Sequence, residues 1–73
     1  MKKENEKIRS EVRYLIQSTM FKKNPITQQQ VINETGLLQY QVNNWLHGKS
    51  DLNSRNLQKV KLFLERYESD NIA

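Results

Sequence analysis

A pair of short helical segments joined by a glycine constrains the fold of this chain more than any other feature. In the stretch TQQQVINETGLLQYQVNNWLHGK, apolar residues recur at helical spacing on both sides of Gly36. Thr27 is a good N-cap, and Gln30 three residues later completes the pattern of a capping box. Glycine readily takes the left-handed conformation that ends many helices. The sequence therefore predicts helices over about 28–35 and 38–47, separated by a very tight turn.

The segment before this pair predicts a long amphipathic helix. Its apolar side chains follow four-three-one-four spacing and share one face: Ile8, Val12, Leu15, Ile16 and Met20. Charged and amide side chains take the other side: Glu6, Arg9, Arg13 and Gln17. Proline disfavours helical geometry in the residue before it, so Asn24-Pro25 would stop the helix. We expect a helix over about 2–22, with Met20 and Phe21 in the core.

The segment after the pair predicts a last helix over about 54–67. The polar stretch HGKSDLNS contains the second glycine and reads as a loop, from which Asn53 or Ser54 can cap the helix. Its core stripe has helical spacing: Leu57, Val60, Phe63, Leu64 and Tyr67. The tail over 69–73 is expected to fray. Without any strand pattern or repeat, the chain is expected to be one all-α domain over 1–73, a bundle of four helices, or five, that contains a helix-turn-helix.

Length and composition exclude several classes of protein. A chain of 73 residues hides only about 60% of its unfolded surface, which leaves little room for a deep active site. It has no cysteine, so neither a disulfide framework nor a thiolate metal site can form. The charged start MKKENEKIRSEV lacks the apolar core of a signal peptide, and no stretch approaches the roughly 18 apolar residues of a membrane span. We expect no membrane association and a cytoplasmic, nucleoid-associated location, or a nuclear one in a eukaryotic host.

No catalytic constellation is visible in the sequence. There is no HExxH motif, no glycine-rich phosphate loop and no nucleophile paired with a base. His47 is the only histidine, and without acid or thiol neighbours it would make a poor metal ligand or general base. The sequence therefore predicts no enzyme activity, no cofactor and no small-molecule substrate.

The segment over 38–47 places two contrasting arcs on a helical wheel of roughly 100° per residue. One arc is apolar and would anchor the helix: Leu38, Val42, Trp45 and Leu46. The opposite arc is polar yet has no formal charge at neutral pH: Gln39, Tyr40, Asn43, Asn44 and His47. Solvated helix faces usually carry Lys and Glu, which have better helix propensity than Asn. Planar carboxamides suit bidentate pairing with adenine in the major groove, although a merely polar surface in an amide-rich chain is the alternative.

Basic residues surround this pair of segments, as a grip on DNA phosphates would require. The formal net charge is +4, and between Lys22 and Lys61 there are six basic residues against two acids. Free N–H groups at the start of the helix over 28–35 would suit an anion, beside Thr27 and Gln28. Further expected phosphate contacts flank the pair in loops: Lys22, Lys23, Lys49 and Ser50.

These residues resemble a known family. The stretch TQQQVINETGLLQYQVNNWLHGK is similar, without a gap, to the helix-turn-helix unit of Cro-like phage repressors, and LNSRNLQKVKLFL is similar to their next helix. The resemblance implies that the second helix reads the major groove, with base contacts from Gln39, Tyr40 and Asn44. It also implies phosphate contacts from Gln28 and Lys49, whereas Asn43 as a base contact and His47 as a phosphate contact rest on the wheel. In one departure, Ile32 stands where the family prefers alanine.

A second resemblance is local. TGLLQYQVNNW looks like the entry to the recognition helix of homeodomains. Homeodomains place their adenine-reading asparagine three residues after the tryptophan, and this chain has Gly48 there. The repressor-like layout therefore describes the whole chain better, although both families bind DNA with this pair of helices.

The sequence favours one function and leaves others open. The favoured one is sequence-specific binding of double-stranded DNA by a recognition helix over 38–47, in a small transcription regulator. The alternatives are the DNA-reading subunit of a larger complex, and a helical protein-interaction or antirepressor module that does not bind DNA. A homodimer is open because regulators of this kind often pair two half-sites about 34 Å apart.

Overall fold

Four helices form the structure, a computed structural model that describes residues 2–72 and the side chains of residues 2–67. The helices are α1 (Lys2–Ser18), α2 (Gln28–Thr35), α3 (Gln39–Leu46) and α4 (Ser54–Ile72). No strand occurs in residues 2–72, so the predicted all-α fold is confirmed. None of the described helices is long and apolar enough to cross a membrane.

The tight turn between α2 and α3 forms as the sequence predicted. Gly36 has φ 75° in the left-handed region, and its N–H donates to the Ile32 carbonyl over 2.9 Å. At the other end of α2, Thr27 Oγ1 accepts from the Gln30 N–H at 3.2 Å. The reciprocal half of the capping box is absent, because the Gln30 carboxamide is directed to Glu34 and Tyr67 instead.

The first helix ends at Ser18, earlier than predicted. Just after the helix end, the Thr19 hydroxyl donates to the Leu15 carbonyl at 2.7 Å and accepts from the Ile26 N–H at 2.8 Å, which holds the returning segment against the end of α1. The chain therefore turns away well before Pro25. Met20 is 55% exposed and Phe21 is 96% exposed, so their predicted place in the core is wrong. Ile26, whose N–H donates to the Thr19 hydroxyl, lies in the core instead.

The core lies where the four helices meet, and its centre comes from all of them. Its most deeply buried apolar side chains are Val12, Val31, Val42, Trp45, Leu57 and Val60. Leu38 was predicted to belong to this set and is 57% exposed, whereas Leu37 is buried. The wheel failed there because both residues precede the first turn of α3, where side-chain directions do not follow helical periodicity.

The last helix begins as predicted and ends later. Asn53 caps it, accepting from the Asn56 N–H at 2.9 Å. The helix continues to Ile72, past the predicted end near residue 67. Of the tail expected to fray, 69–72 is helical in its backbone, and Ala73 lies outside the described residues.

Candidate nucleic-acid interface

Helix α3 buries its apolar side and turns its amide-bearing side outward. Trp45 and Val42 have no exposed surface, so the inward orientation predicted for the tryptophan is confirmed. On the opposite side Gln39 and Tyr40 are exposed, and Tyr40 retains 63% of its surface. Asn43 and Asn44 are half-buried along the same side. The fold thus presents one surface of α3 made of carboxamides and a phenol, here called the amide face: Gln39, Tyr40, Asn43 and Asn44.

Members of the amide face differ in how many of their polar atoms are already used. Gln39, Tyr40 and Asn44 make no side-chain hydrogen bond within the described part of the chain, so both their donors and their acceptors are available. Asn43 Oδ1 accepts from Gln28 Nε2 at 3.4 Å, which ties the start of α2 to the middle of α3. Gln41 is not on this face, since its Oε1 accepts from the Leu38 N–H at 3.1 Å and caps α3.

A polar depression continues the amide face toward α4. It has a volume of about 280 Å³, and its lining residues are mostly polar: Tyr40, Gln41, Asn44, Ser50, Asp51, Leu52, Asn53 and Asn56. Hydrogen-bonding groups from α3, from the loop after it and from the first turn of α4 therefore converge beside Asn44.

At the start of α2, two of the predicted phosphate contacts are already partly engaged. The Thr27 hydroxyl oxygen accepts from Gln30, and the Gln28 carboxamide contacts Asn43. His47, at the other end of the amide face, places Nδ1 2.7 Å from the Asn43 carbonyl oxygen. Gln28 and His47 thus both border Asn43, Gln28 from the start of α2 and His47 from the residue that follows α3.

The end of α3 carries Lys49 and Ser50 in a fixed backbone conformation. Gly48 is left-handed with φ 76°, and its N–H donates to the Trp45 carbonyl at 3.1 Å. The Lys49 N–H donates to the Asn44 carbonyl at 2.8 Å, which completes a Schellman motif. Lys49 and Ser50 are exposed immediately after the motif. A predicted base contact and a predicted phosphate contact are therefore joined by one backbone hydrogen bond.

Helix α1 is hydrogen-bonded to this end of α3, a set of contacts that the sequence did not predict. The indole N–H of Trp45 donates to Asn5 Oδ1 at 2.9 Å. Arg9 Nε donates to the Trp45 carbonyl, and Arg13 approaches the Leu46 carbonyl at 3.5 Å. Asn5, Arg9 and Arg13 are four residues apart, so they form one row along α1. That spacing was the available signal, but Arg9 and Arg13 had been placed on the polar side of the helix and Asn5 had been given no role.

Lys22 and Lys23 lie apart from α3. Both are exposed in the loop before α2, where they line a depression shared with Tyr67 of α4. No hydrogen bond or shared depression joins them to the amide face in the described part of the chain. Their predicted contact with phosphates stays a prediction, with less geometric support than that of Gln28, His47 or Lys49.

Ion pairing leaves the positive charges largely unopposed. Both acids between Lys22 and Lys61 are neutralised, with Asp51 2.9 Å from Arg9 and Glu34 3.2 Å from Arg66. Lys61 pairs with Glu4. The other basic residues of this segment make no ion pair with a described carboxylate: Lys22, Lys23, Lys49, Arg55 and Lys59. Among the described residues, no three His, Asp or Glu side chains cluster as metal ligands would.

Comparison with known proteins does not assign this arrangement to a family. No protein-family model, curated protein or solved structure matches the chain. The case for a function therefore rests on the amide face and the groups around it. At the one departure from the repressor-like pattern, Ile32 is half-buried and packs against the core.

Proposed function

We propose that this protein binds double-stranded DNA sequence-specifically, with α3 as the helix that enters the major groove, and acts as a small transcription regulator. The observation that carries the proposal is the amide face itself. Gln39, Tyr40 and Asn44 make no side-chain hydrogen bond among the described residues, while Val42 and Trp45 anchor the same helix in the core. Unpaired carboxamides on an anchored helix can pair with base edges, most favourably with adenine.

Groups suited to phosphate surround the amide face and support the same proposal. Lys49 and Ser50 follow α3 directly, and Gln28 and His47 border it beside Asn43. Contacts to phosphates fix the register of a reading helix, and contacts to base edges supply the specificity. The resemblance to Cro-like repressors agrees with this division of roles. A homodimer on two half-sites, or a place as the DNA-reading subunit of a larger complex, is compatible with it.

The direct test begins with selection of bound duplexes from a random pool, followed by titration of the selected and a random duplex at several salt concentrations. Affinity should fall steeply with salt, with a slope of about −0.9 for each phosphate neutralised. The selected duplex should bind more tightly than the random one at every salt concentration. Equal affinity for the two would contradict sequence-specific recognition.

Variants separate the two kinds of contact. Asn44→Ala and Gln39→Ala should each lose about 1–3 kcal/mol on the selected duplex and little on the random one, because they remove base contacts. Lys49→Ala should weaken both duplexes alike and reduce the salt slope by about 0.9. Gln58→Ala, an exposed amide on α4, is the matched control and should change neither. Equal losses on both duplexes from all three variants would defeat this assignment of roles.

A protein-interaction module is the second candidate, favoured by exposed apolar side chains away from α3. Phe21 is 96% exposed in the loop after α1, and Leu62 is 55% exposed on α4. NMR titration with the selected duplex distinguishes the candidates. Amide shifts within 27–50 would support DNA binding, whereas the absence of any shift there would favour a protein partner.

A further inference from the structure

The loop after α3 is held by α1 at more than one point. Asn5 Nδ2 donates to the Leu52 carbonyl at 3.1 Å, and Asn5 Oδ1 accepts from the Leu52 N–H at 2.9 Å. Arg9 donates to the Ser50 carbonyl at 3.1 Å and to Asp51 Oδ1 at 2.9 Å. The backbone of this loop is therefore attached to a helix more than thirty residues away in sequence.

Arg9 joins the loop to the end of α3. Its Nε donates to the Trp45 carbonyl, which also accepts the Gly48 N–H of the Schellman motif. Its Cζ lies 5.6 Å from the centroid of the Trp45 ring, within range of a cation–π interaction. The Arg9 side chain is only 13% exposed. A planar guanidinium can serve a helix-end carbonyl, a loop carbonyl and a carboxylate at once, which an ammonium cannot do with the same geometry.

Lys49 lies between Trp45 and Ser50, whose carbonyls both accept from Arg9. Its N–H is bonded to the Asn44 carbonyl, and Ser50, the next residue, is gripped through its own carbonyl. The Lys49 side chain is exposed and makes no described ion pair. The fold therefore fixes the backbone that carries this charge and leaves the charge itself to solvent or to a ligand.

We propose that Arg9 is a positioning residue that holds Lys49 in register with Asn44 for contact with a DNA phosphate. The proposal rests on the proposed DNA-binding function and adds a residue of α1 to it. Arg9 acts through the loop, since most of its guanidinium donors are committed to Trp45, Ser50 and Asp51.

The test is a double-mutant cycle read through the salt dependence of binding to a mixed-sequence 20-base-pair duplex. Lys49→Ala should reduce the slope by about 0.9, and Arg9→Gln should reduce it by up to the same amount. The double variant should show no further reduction beyond Lys49→Ala, because both changes remove one contact. Lys7→Gln removes the same charge from an exposed position on α1 and should leave the slope nearly unchanged.

Asp51→Ala is a second test, which can still be carried out if Arg9→Gln does not fold. It removes one of the partners of Arg9 in an exposed loop and also removes a negative charge. If the only effect is the loss of a negative charge, DNA binding should become stronger and the slope of affinity against salt should be preserved. If the loop is loosened, that slope should fall. A lowered slope in Asp51→Ala therefore supports positioning. A preserved slope in Asp51→Ala together with an unaltered slope in Arg9→Gln contradicts it, because Asp51→Ala alone leaves the bonds from Arg9 to the Trp45 and Ser50 carbonyls in place.

The outcomes separate this proposal from the one on which it rests. If the DNA affinity of the wild-type protein does not depend on salt concentration, both the DNA-binding function and the role of Arg9 are overturned. A normal wild-type slope that is unaltered in Arg9→Gln overturns only the role of Arg9. Additive reductions in the double variant would also overturn it, since Arg9 would then contact a phosphate directly.

Discussion

Trp45→Ala is expected to lower the free energy of unfolding by about 3–5 kcal/mol, the usual cost of deleting a large aromatic side chain from a core. Trp45 has no exposed surface, belongs to the hydrophobic core and donates its indole N–H to Asn5 of α1. Small domains have little stability to spare, because they hide a small fraction of their surface. Thermal unfolding followed by circular dichroism should show a midpoint lowered by more than roughly 10 °C.

Trp45→Phe is the matched control for that change. It keeps an aromatic ring in the core and removes the indole N–H, whose acceptor Asn5 Oδ1 still bonds the Leu52 N–H. The loss should therefore be smaller, on the order of 1–2 kcal/mol. Equal midpoints for Trp45→Ala and the wild type would contradict the central place of the indole in the core.

Asn5→Ala is expected to have the second-largest effect, a loss of about 2–4 kcal/mol. Asn5 is 1% exposed, and its carboxamide serves the N–H and the carbonyl of Leu52 and the indole of Trp45. Each buried polar group left without its partner costs about 1–3 kcal/mol, and entry of water would offset part of that sum. Chemical denaturation should show a lower midpoint with an unchanged slope.

Two further variants isolate the Asn5 effect. Glu6→Ala changes the neighbouring, exposed residue and should be nearly neutral. Combining Asn5→Ala with Trp45→Phe should cost less than the two losses added together, because both variants break the same hydrogen bond. A loss for Asn5→Ala no larger than that for Glu6→Ala would show that the buried carboxamide contributes nothing to stability.

Local chemistry in the sequence was enough to place the pair α2–α3. Thr27, Gly36 and Asn53 mark helix ends through interactions with backbone groups close to them in sequence. Helical periodicity likewise placed Val42 and Trp45 in the core, because a helix with one apolar face must bury it. The outward direction of the amide face follows from the same rule.

The features that the sequence did not reveal depend on contacts between distant segments. Asn5 is polar and sits on a charged helix, and its burial follows only from meeting Leu52 across the fold. Arg9 is half-buried for a similar reason. Thr19, just after the end of α1, accepts from the Ile26 N–H seven residues later, and no helix-propensity rule expresses that contact.

The buried indole of Trp45 can serve as an intrinsic fluorescent probe. The chain contains a single tryptophan, and its ring N–H is bonded to α1 at the point where that helix meets the end of α3. Ultraviolet emission from the unlabelled protein therefore reports the docking of its N-terminal segment. The amide face, which we propose contacts nucleobases, is on the other side of a helix about 10 Å across, so a change in this emission on adding DNA would report a shift inside the protein rather than direct stacking.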